Sequence, residues 1–177
     1  MTSPADECSG ATSPSPSASR SRLLVARLVL LALHEGLHVT YVAHRALPHG
    51  ALGVLRPRTR TIVVARDLAF DATAHALSHE LAHWLLGHGR TTHPPTDEAE
   101  EEAELASYLV CRQFGVATGA WMNFAGSALE LDASGSARLG LSAHRAERAA
   151  ETLIRCLSGG ALSPLRPSAS SSDGLAV

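Results

Sequence analysis

The segment His75–His88, HALSHELAHWLLGH, holds four of the chain's ten histidines. His79 and His83 are four residues apart, and Glu80 directly follows the first of them. An α-helix turns about 100° per residue, so residues four apart stand about 40° apart on one face. Two imidazoles at that spacing can converge on one metal ion, which is the arrangement of an HExxH zinc site. Glu80 stands beside His79 and can reach a water on such an ion without ligating it. Leu81 and Ala82 turn away from it. His75, one turn ahead of His79, supports the site or simply caps that helix face. His88 falls about 180° from His79 on a continuous helix. The longer pattern HExxHxxGxxH is not met, because Leu86 and Gly89 stand where it needs Gly and His. His88 and His93 are therefore expected to be solvated loop histidines.

Two histidines leave a tetrahedral ion open, and a catalytic zinc site usually has three protein ligands plus water. The source of a third ligand is DEAEEEAELASYLVCRQFG, Asp97 to Gly115. Ala99, Ala103, Ala106 and Val110 form an apolar stripe at helical spacing. Glu100 and Glu104 lie one turn apart beside it. That spacing suits one carboxylate as ligand and a second that accepts a proton from a ligand histidine and orients its ring. Glu100 is the first choice for the ligand, with Glu104 and Glu102 as the alternatives. Glu98, Glu101 and Glu102 compete, since an acidic first turn is also what any helix N-terminus favours.

These residues need elements to hold them. A first helix fits Ser21 to Glu35, with Gly36 as its stop. LHVTYVA, Leu37 to Ala43, alternates and reads as a strand. Ala51–Leu55 and Thr61–Ala65 read as a hairpin joined through Arg56-Pro57-Arg58-Thr59. Asp71 can cap a helix that begins at Ala72, carries the histidines and ends near Gly87 or Gly89. Pro94-Pro95 forbids helix, and a long helix then runs from Asp97 to Phe114. Residues 115–141 are less regular, and Ser142 to Leu157 closes the domain as a helix. The order is α-β-β-β-α-α-α, an α+β arrangement with a small, mainly antiparallel three-stranded sheet.

Composition bounds the rest. The chain has 177 residues, enough for one domain with a real core, and is 45% hydrophobic. Only 4% is aromatic, so Leu, Val and Ala must fill that core. Residues 1–19 and 159–177 are rich in Ser, Pro and Gly and read as disordered tails around a folded part at 20–158. A net charge of −2 argues against a broad nucleic-acid footprint. Cys8, Cys111 and Cys156 are odd in number and widely spaced, which indicates neither a disulfide framework nor a zinc knuckle and fits a reducing cytoplasm. RLLVARLVLLAL, Arg22 to Leu33, is too short to span a bilayer and is interrupted by Arg27. No small-x-small cleavage site follows it, so it reads as a buried helix rather than a signal peptide.

Two stretches carry a family resemblance. LRPRTRTIVVARDLAFDATAHALSHELAHWLLGH resembles the hairpin, helix start and zinc helix of the ImmA/IrrE metallopeptidases, HExxH enzymes of the gluzincin-like kind. EEEAELASYLVCRQFG resembles that family's glutamate helix, and the first helix and strand also fit. Together these cover residues 21 to 115. The resemblance implies a small α+β zincin domain. It implies zinc held by two histidines and a glutamate, with Glu80 as general base. It further implies proteolysis of other proteins, often transcriptional repressors, and a separate helix-turn-helix partner. The chain has YLVCRQFG where relatives commonly end this helix in LLMP, a departure that marks a variant branch.

The reaction so implied is metal-assisted amide hydrolysis, with Glu80 taking a proton from water and passing it to the leaving amine. The oxyanion needs a further donor. Tyr41, Tyr108 and His144 are available, though each has a structural role as its first reading. The main alternative is a zinc-binding regulator that binds a repressor without cutting it. An enzyme acting on a non-peptide amide and a nucleic-acid role stand behind it.

Overall fold

The computed structural model describes residues 15–48, 50–88, 96–117 and 136–159. His93, nearly all of the two tails, most of the loop before Asp97 and much of the stretch 115–141 lie outside these residues. Helix α1 spans Pro16–His34, a start more than one turn earlier than the apolar pattern predicts. The reason is local. The Ser15 side chain accepts a hydrogen bond from Ala18 N–H, and Pro16 sits where its missing N–H costs nothing. Leu24, Leu28 and Leu31 recur on one face of α1 and are fully buried. Each contributes about 2 kcal/mol of apolar transfer free energy. Gly36 adopts φ +69° and turns the chain out of the helix into the sheet.

The sheet holds β1 (His38–Val42), β2 (Gly53–Arg56) and β3 (Thr61–Ala65) in the order β1-β3-β2. The expected hairpin is present: β2 runs antiparallel to β3, with Gly53 opposite Val64 and Arg56 opposite Thr61. β1, however, pairs parallel to β3, with His38 opposite Thr61 and Val42 opposite Ala65. The sheet is therefore mixed rather than mainly antiparallel. TIVVA is apolar at successive positions, which suits a central strand covered on both faces. HVTYV keeps three of its five residues in water and takes an edge. Ile62 and Val64 face the helices, whereas Val63 and Ala65 pack with Leu47 on the other side.

Helix α2 spans Phe70–Leu86, α3 Asp97–Gln113 and α4 Ser136–Ser158. Leu77, Leu81 and Leu85 of α2 meet Ala103, Ala106 and Val110 of α3, and Ala146, Ala149, Ala150 and Leu153 of α4. The alanines on α3 and α4 let these helices close on α2. The result is an α+β domain with its main core between the helices and one sheet face. Among the described residues no helix is long and apolar enough to cross a membrane.

Arg60 ties the pieces together from the β2–β3 turn. It is the one described non-glycine residue with positive φ, at +50°. Its guanidinium donates to Gly36 O at 2.9 Å and to Glu35 O, closing the end of α1, and stacks 5.0 Å from the Trp84 ring of α2.

Candidate metal centre

The start of α2 differs from expectation. Ala69 is the N-cap and supplies no side-chain bond. Asp71 instead lies in the first turn, where its charge suits the helix dipole. Its carboxylate accepts from Ser21 Oγ of α1, and that bond sets the position of α2 rather than its cap. The far end follows from Gly87, whose φ of +76° lets His88 N–H return to His83 O at 2.9 Å. On α3, Thr96 caps the helix by accepting from Ala99 N–H at 3.3 Å.

Packing of α2 on α3 brings His79, His83 and Glu100 together. His79 Nε2 lies 3.0 Å from His83 Nε2 and 3.2 Å from Glu100 Oε2, and His83 Nε2 is 3.5 Å from Glu100 Oε1. Donors about 2.0–2.1 Å from a tetrahedral zinc stand about 3.3 Å apart. One donor atom from each of the three residues lies within 4.8 Å of the others, and two imidazoles with a carboxylate are ligand types that zinc takes. The histidine side chains are 16% and 5% exposed and that of Glu100 45%, so the cluster is walled on the α2 side and open at Glu100. An open side leaves room for water or a substrate atom.

Glu104 and Glu102, the alternative ligands, point elsewhere. Glu104 Oε2 sits 3.3 Å from His79 Nδ1, the ring nitrogen that faces away from Glu100, and Oε1 sits 3.1 Å from His75 Nε2. His75 is buried and also meets Ser107 Oγ at 3.1 Å, so it supports Glu104. Glu102 is 1% exposed and contacts His88 Nε2 at 3.0 Å. Glu98 and Glu101 face solvent. So does His144, while Tyr41 is 45% exposed on β1 and Tyr108 lies under the Arg112 guanidinium at 5.9 Å. Cys111 and Cys156 are buried, and burial pushes the Cys111 thiol up to about 12, far from a thiolate ligand.

His88 is the residue that sequence reasoning misplaced. It is not solvated: its side chain is 9% exposed, with Nδ1 2.9 Å from His83 Nδ1. Extending the helix through Gly87 puts it on the wrong side. The left-handed turn at Gly87 folds it back under His83, and a glycine at the end of an apolar helical pattern was the available signal. Burial, with the neighbouring His83 and Arg145, holds His88 down to about 4.

Glu80 is 6% exposed, and its Oε2 accepts from Leu55 N–H of the edge strand β2 at 2.6 Å. Burial raises its pKa, opposed by His79, His83 and the Leu55 bond. Burial alone would lower the pKa of His79, but Glu100, Glu104 and the Glu80 charge outweigh it and hold it at about 10. The His79 and His83 bonds hold Glu100 well below the usual carboxylate range. Burial opposes the same trend at Glu104, where His75 and His79 prevail and keep it at about 2. The carboxylates around His79 thus favour positive charge at the centre of the cluster.

Fold and cluster together define an α+β domain with a two-histidine, one-carboxylate donor set and a buried carboxyl beside it. No family model, curated protein or solved structure matches the chain.

Proposed function

We propose that this chain is a zinc-dependent metallo-endopeptidase of zincin type that hydrolyses peptide bonds in a protein substrate. A helix-turn-helix transcriptional repressor is the substrate class that the ImmA/IrrE resemblance favours, and a cytoplasmic location goes with it. The observation that carries the reading is the group of His79 Nε2, His83 Nε2 and the Glu100 carboxylate, whose closest approaches are 3.0–3.5 Å and which is open to solvent at Glu100. A regulator needs no opening at the ion and no buried carboxyl beside it; a hydrolase needs both.

His79, His83 and Glu100 would hold the ion, which when bound polarises a substrate carbonyl and lowers the pKa of water towards about 7. Glu80 takes the proton of the attacking water and returns it to the leaving amine. Its burial suits that task, because a carboxyl whose pKa is raised accepts a proton more readily than an ordinary one. Leu55 N–H holds one oxygen of Glu80, which leaves the other for the water. Glu104 keeps the His79 ring turned so that Nε2 faces the centre.

The test replaces Glu80 by Gln, which keeps size and removes the base. Hydrolysis of an unbiased peptide library, read by mass spectrometry, should fall at least about a hundredfold with zinc content unchanged. A zinc-loaded wild type that cuts no more than Glu80→Gln overturns the peptidase reading and leaves the regulator that binds a repressor without cleavage.

A further inference from the structure

Beyond the three donors, the cluster continues through His83 into α4. His83 Nδ1 and His88 Nδ1 are 2.9 Å apart, His88 Nε2 and Glu102 Oε2 are 3.0 Å apart, and Glu102 Oε1 accepts from Ser142 Oγ at 2.9 Å and from Arg145 Nη1 at 3.0 Å. We propose that His88 and Glu102 are positioning residues for the metal centre, forming an outer arm that fixes the His83 ring and fastens it to α4. The inference rests on the metal reading above.

Proton accounting gives the arm a direction. Two imidazole nitrogens at hydrogen-bond distance share one proton between them. Once the Nε2 lone pair of His83 is given to an ion, its proton resides on Nδ1, so His88 Nδ1 accepts. The His88 proton then sits on Nε2 and is donated to Glu102 Oε2. Glu102 keeps its other oxygen for Ser142 and Arg145. Every polar atom in the chain has one role, set from the ion outwards.

The burial of Glu102 points the same way. A carboxylate that is 1% exposed carries a large desolvation cost unless each oxygen is bonded. Glu102 lies in the second turn of α3, beyond the first-turn acids Asp97, Glu98 and Glu100 that suit the helix dipole, so that task does not account for its burial. His88 cannot itself be a ligand of the same ion, because it touches the nitrogen of His83 that faces away from His79 and Glu100. The arm parallels the approach of Glu104 to within 3.3 Å of His79 Nδ1: each of the two histidines has an outer side chain beside its Nδ1, and outer partners of this kind are worth about 10- to 100-fold in metal affinity.

The experiment measures zinc affinity by competition with a chromophoric chelator, and the visible spectrum with cobalt(II) in place of zinc. Wild type is compared with His88→Ala, His88→Asn and Glu102→Gln, with thermal melting of each metal-free protein as the folding control. His88→Ala should weaken zinc binding about 10- to 100-fold and shift the cobalt bands. His88→Asn, whose amide oxygen can replace Nδ1 as acceptor, should recover most of the loss. Glu102→Gln should fall between. If His88→Ala binds zinc within about twofold of wild type with the same cobalt spectrum, the inference is overturned, a change far below the range for outer partners. It is also overturned if Asn rescues no better than Ala at equal melting temperature. Should His88→Ala not fold, Glu102→Gln decides: weakening of about tenfold supports the arm and wild-type affinity overturns it. A wild type that binds no zinc fails at the metal reading itself, which separates the two claims.

Discussion

Glu104 and Glu100 meet opposite nitrogens of one ring: Glu100 Oε2 is 3.2 Å from His79 Nε2, and Glu104 Oε2 is 3.3 Å from His79 Nδ1. The imidazole therefore separates two carboxylates one helical turn apart into different tasks. One faces the donor group, and the other holds the ring from behind with His75 and Ser107 at its back.

Removing each carboxylate should show that difference. Glu100→Ala deletes a donor, so the protein should lose its stoichiometric zinc on dialysis against a weak chelator. The His79→Ala, His83→Ala double variant should do the same. Glu104→Ala should keep zinc but bind it about 10- to 100-fold more weakly. Metal analysis and competition titration measure both effects. If Glu104→Ala strips the ion and Glu100→Ala does not, the two roles are exchanged.

The same contacts fix a pH dependence. In the metal-free protein His79 is held at about 10, above its ordinary 6.5. Its contribution to stability is complete below 6.5 and disappears as pH rises through 10. Glu104 is held at about 2, below its ordinary 4.5, so its contribution is complete above 4.5 and disappears as pH falls through 2. The metal-free melting temperature should therefore decline from pH 6.5 towards 10. Zinc needs the bare nitrogen, so it must displace the His79 proton. Calorimetry at pH 7 in buffers of different ionisation enthalpy should show proton release, with affinity rising about tenfold per pH unit between 6 and 8. Binding with no proton released would mean that His79 is neutral in the free protein.

Gly87 offers a test through the backbone. Its φ of +76° is costly for a side chain, so Gly87→Ala should lower stability by about 1–2 kcal/mol. It should also weaken zinc binding, because the His88 N–H to His83 O turn depends on that conformation. Chemical denaturation and the chelator titration read the two effects. Lost stability with unchanged zinc affinity would mean that His88 keeps its place without the turn.

The grouping of His79 with His83 was legible because helical geometry converts a four-residue spacing into one face, and α2 is regular from Phe70 to Leu86. Glu100 followed for the same reason, from a regular α3 with an apolar stripe. His88 was not legible by that route, since its place depends on leaving the helix at Gly87 rather than on its period. The parallel pairing of β1 with β3 was hidden too. Alternation identifies a strand but not its neighbour, and here TIVVA, apolar and buried from Ile62 to Ala65, took the centre between two less buried strands. Asp71 had the right chemistry for a cap, but Ser21 from another helix competes for its carboxylate, a tertiary contact that no local pattern contains.

Gly53 gives a last prediction, because it bounds the space above the proposed base. A Cβ at Gly53 would lie 3.3 Å from Val63 O and from Glu80 Cγ, and 3.4 Å from Glu80 Oε1. Val63 O belongs to the central strand and cannot retreat without opening the sheet, so the Glu80 side chain must move. A shift of a few tenths of an ångström leaves His79, His83 and Glu100 in place but misaligns the carboxyl that handles the proton. Gly53→Ala should therefore bind zinc as wild type does and melt within the range of about 1–3 kcal/mol that overpacking costs. Its peptide hydrolysis should fall about tenfold, less than the hundredfold of a full 1 Å misplacement. The loss should appear in kcat rather than KM, since the contact is to the base and not to the substrate. A variant with full zinc occupancy and unchanged kcat would show that Glu80 holds its position independently of the glycine, through the Leu55 bond alone.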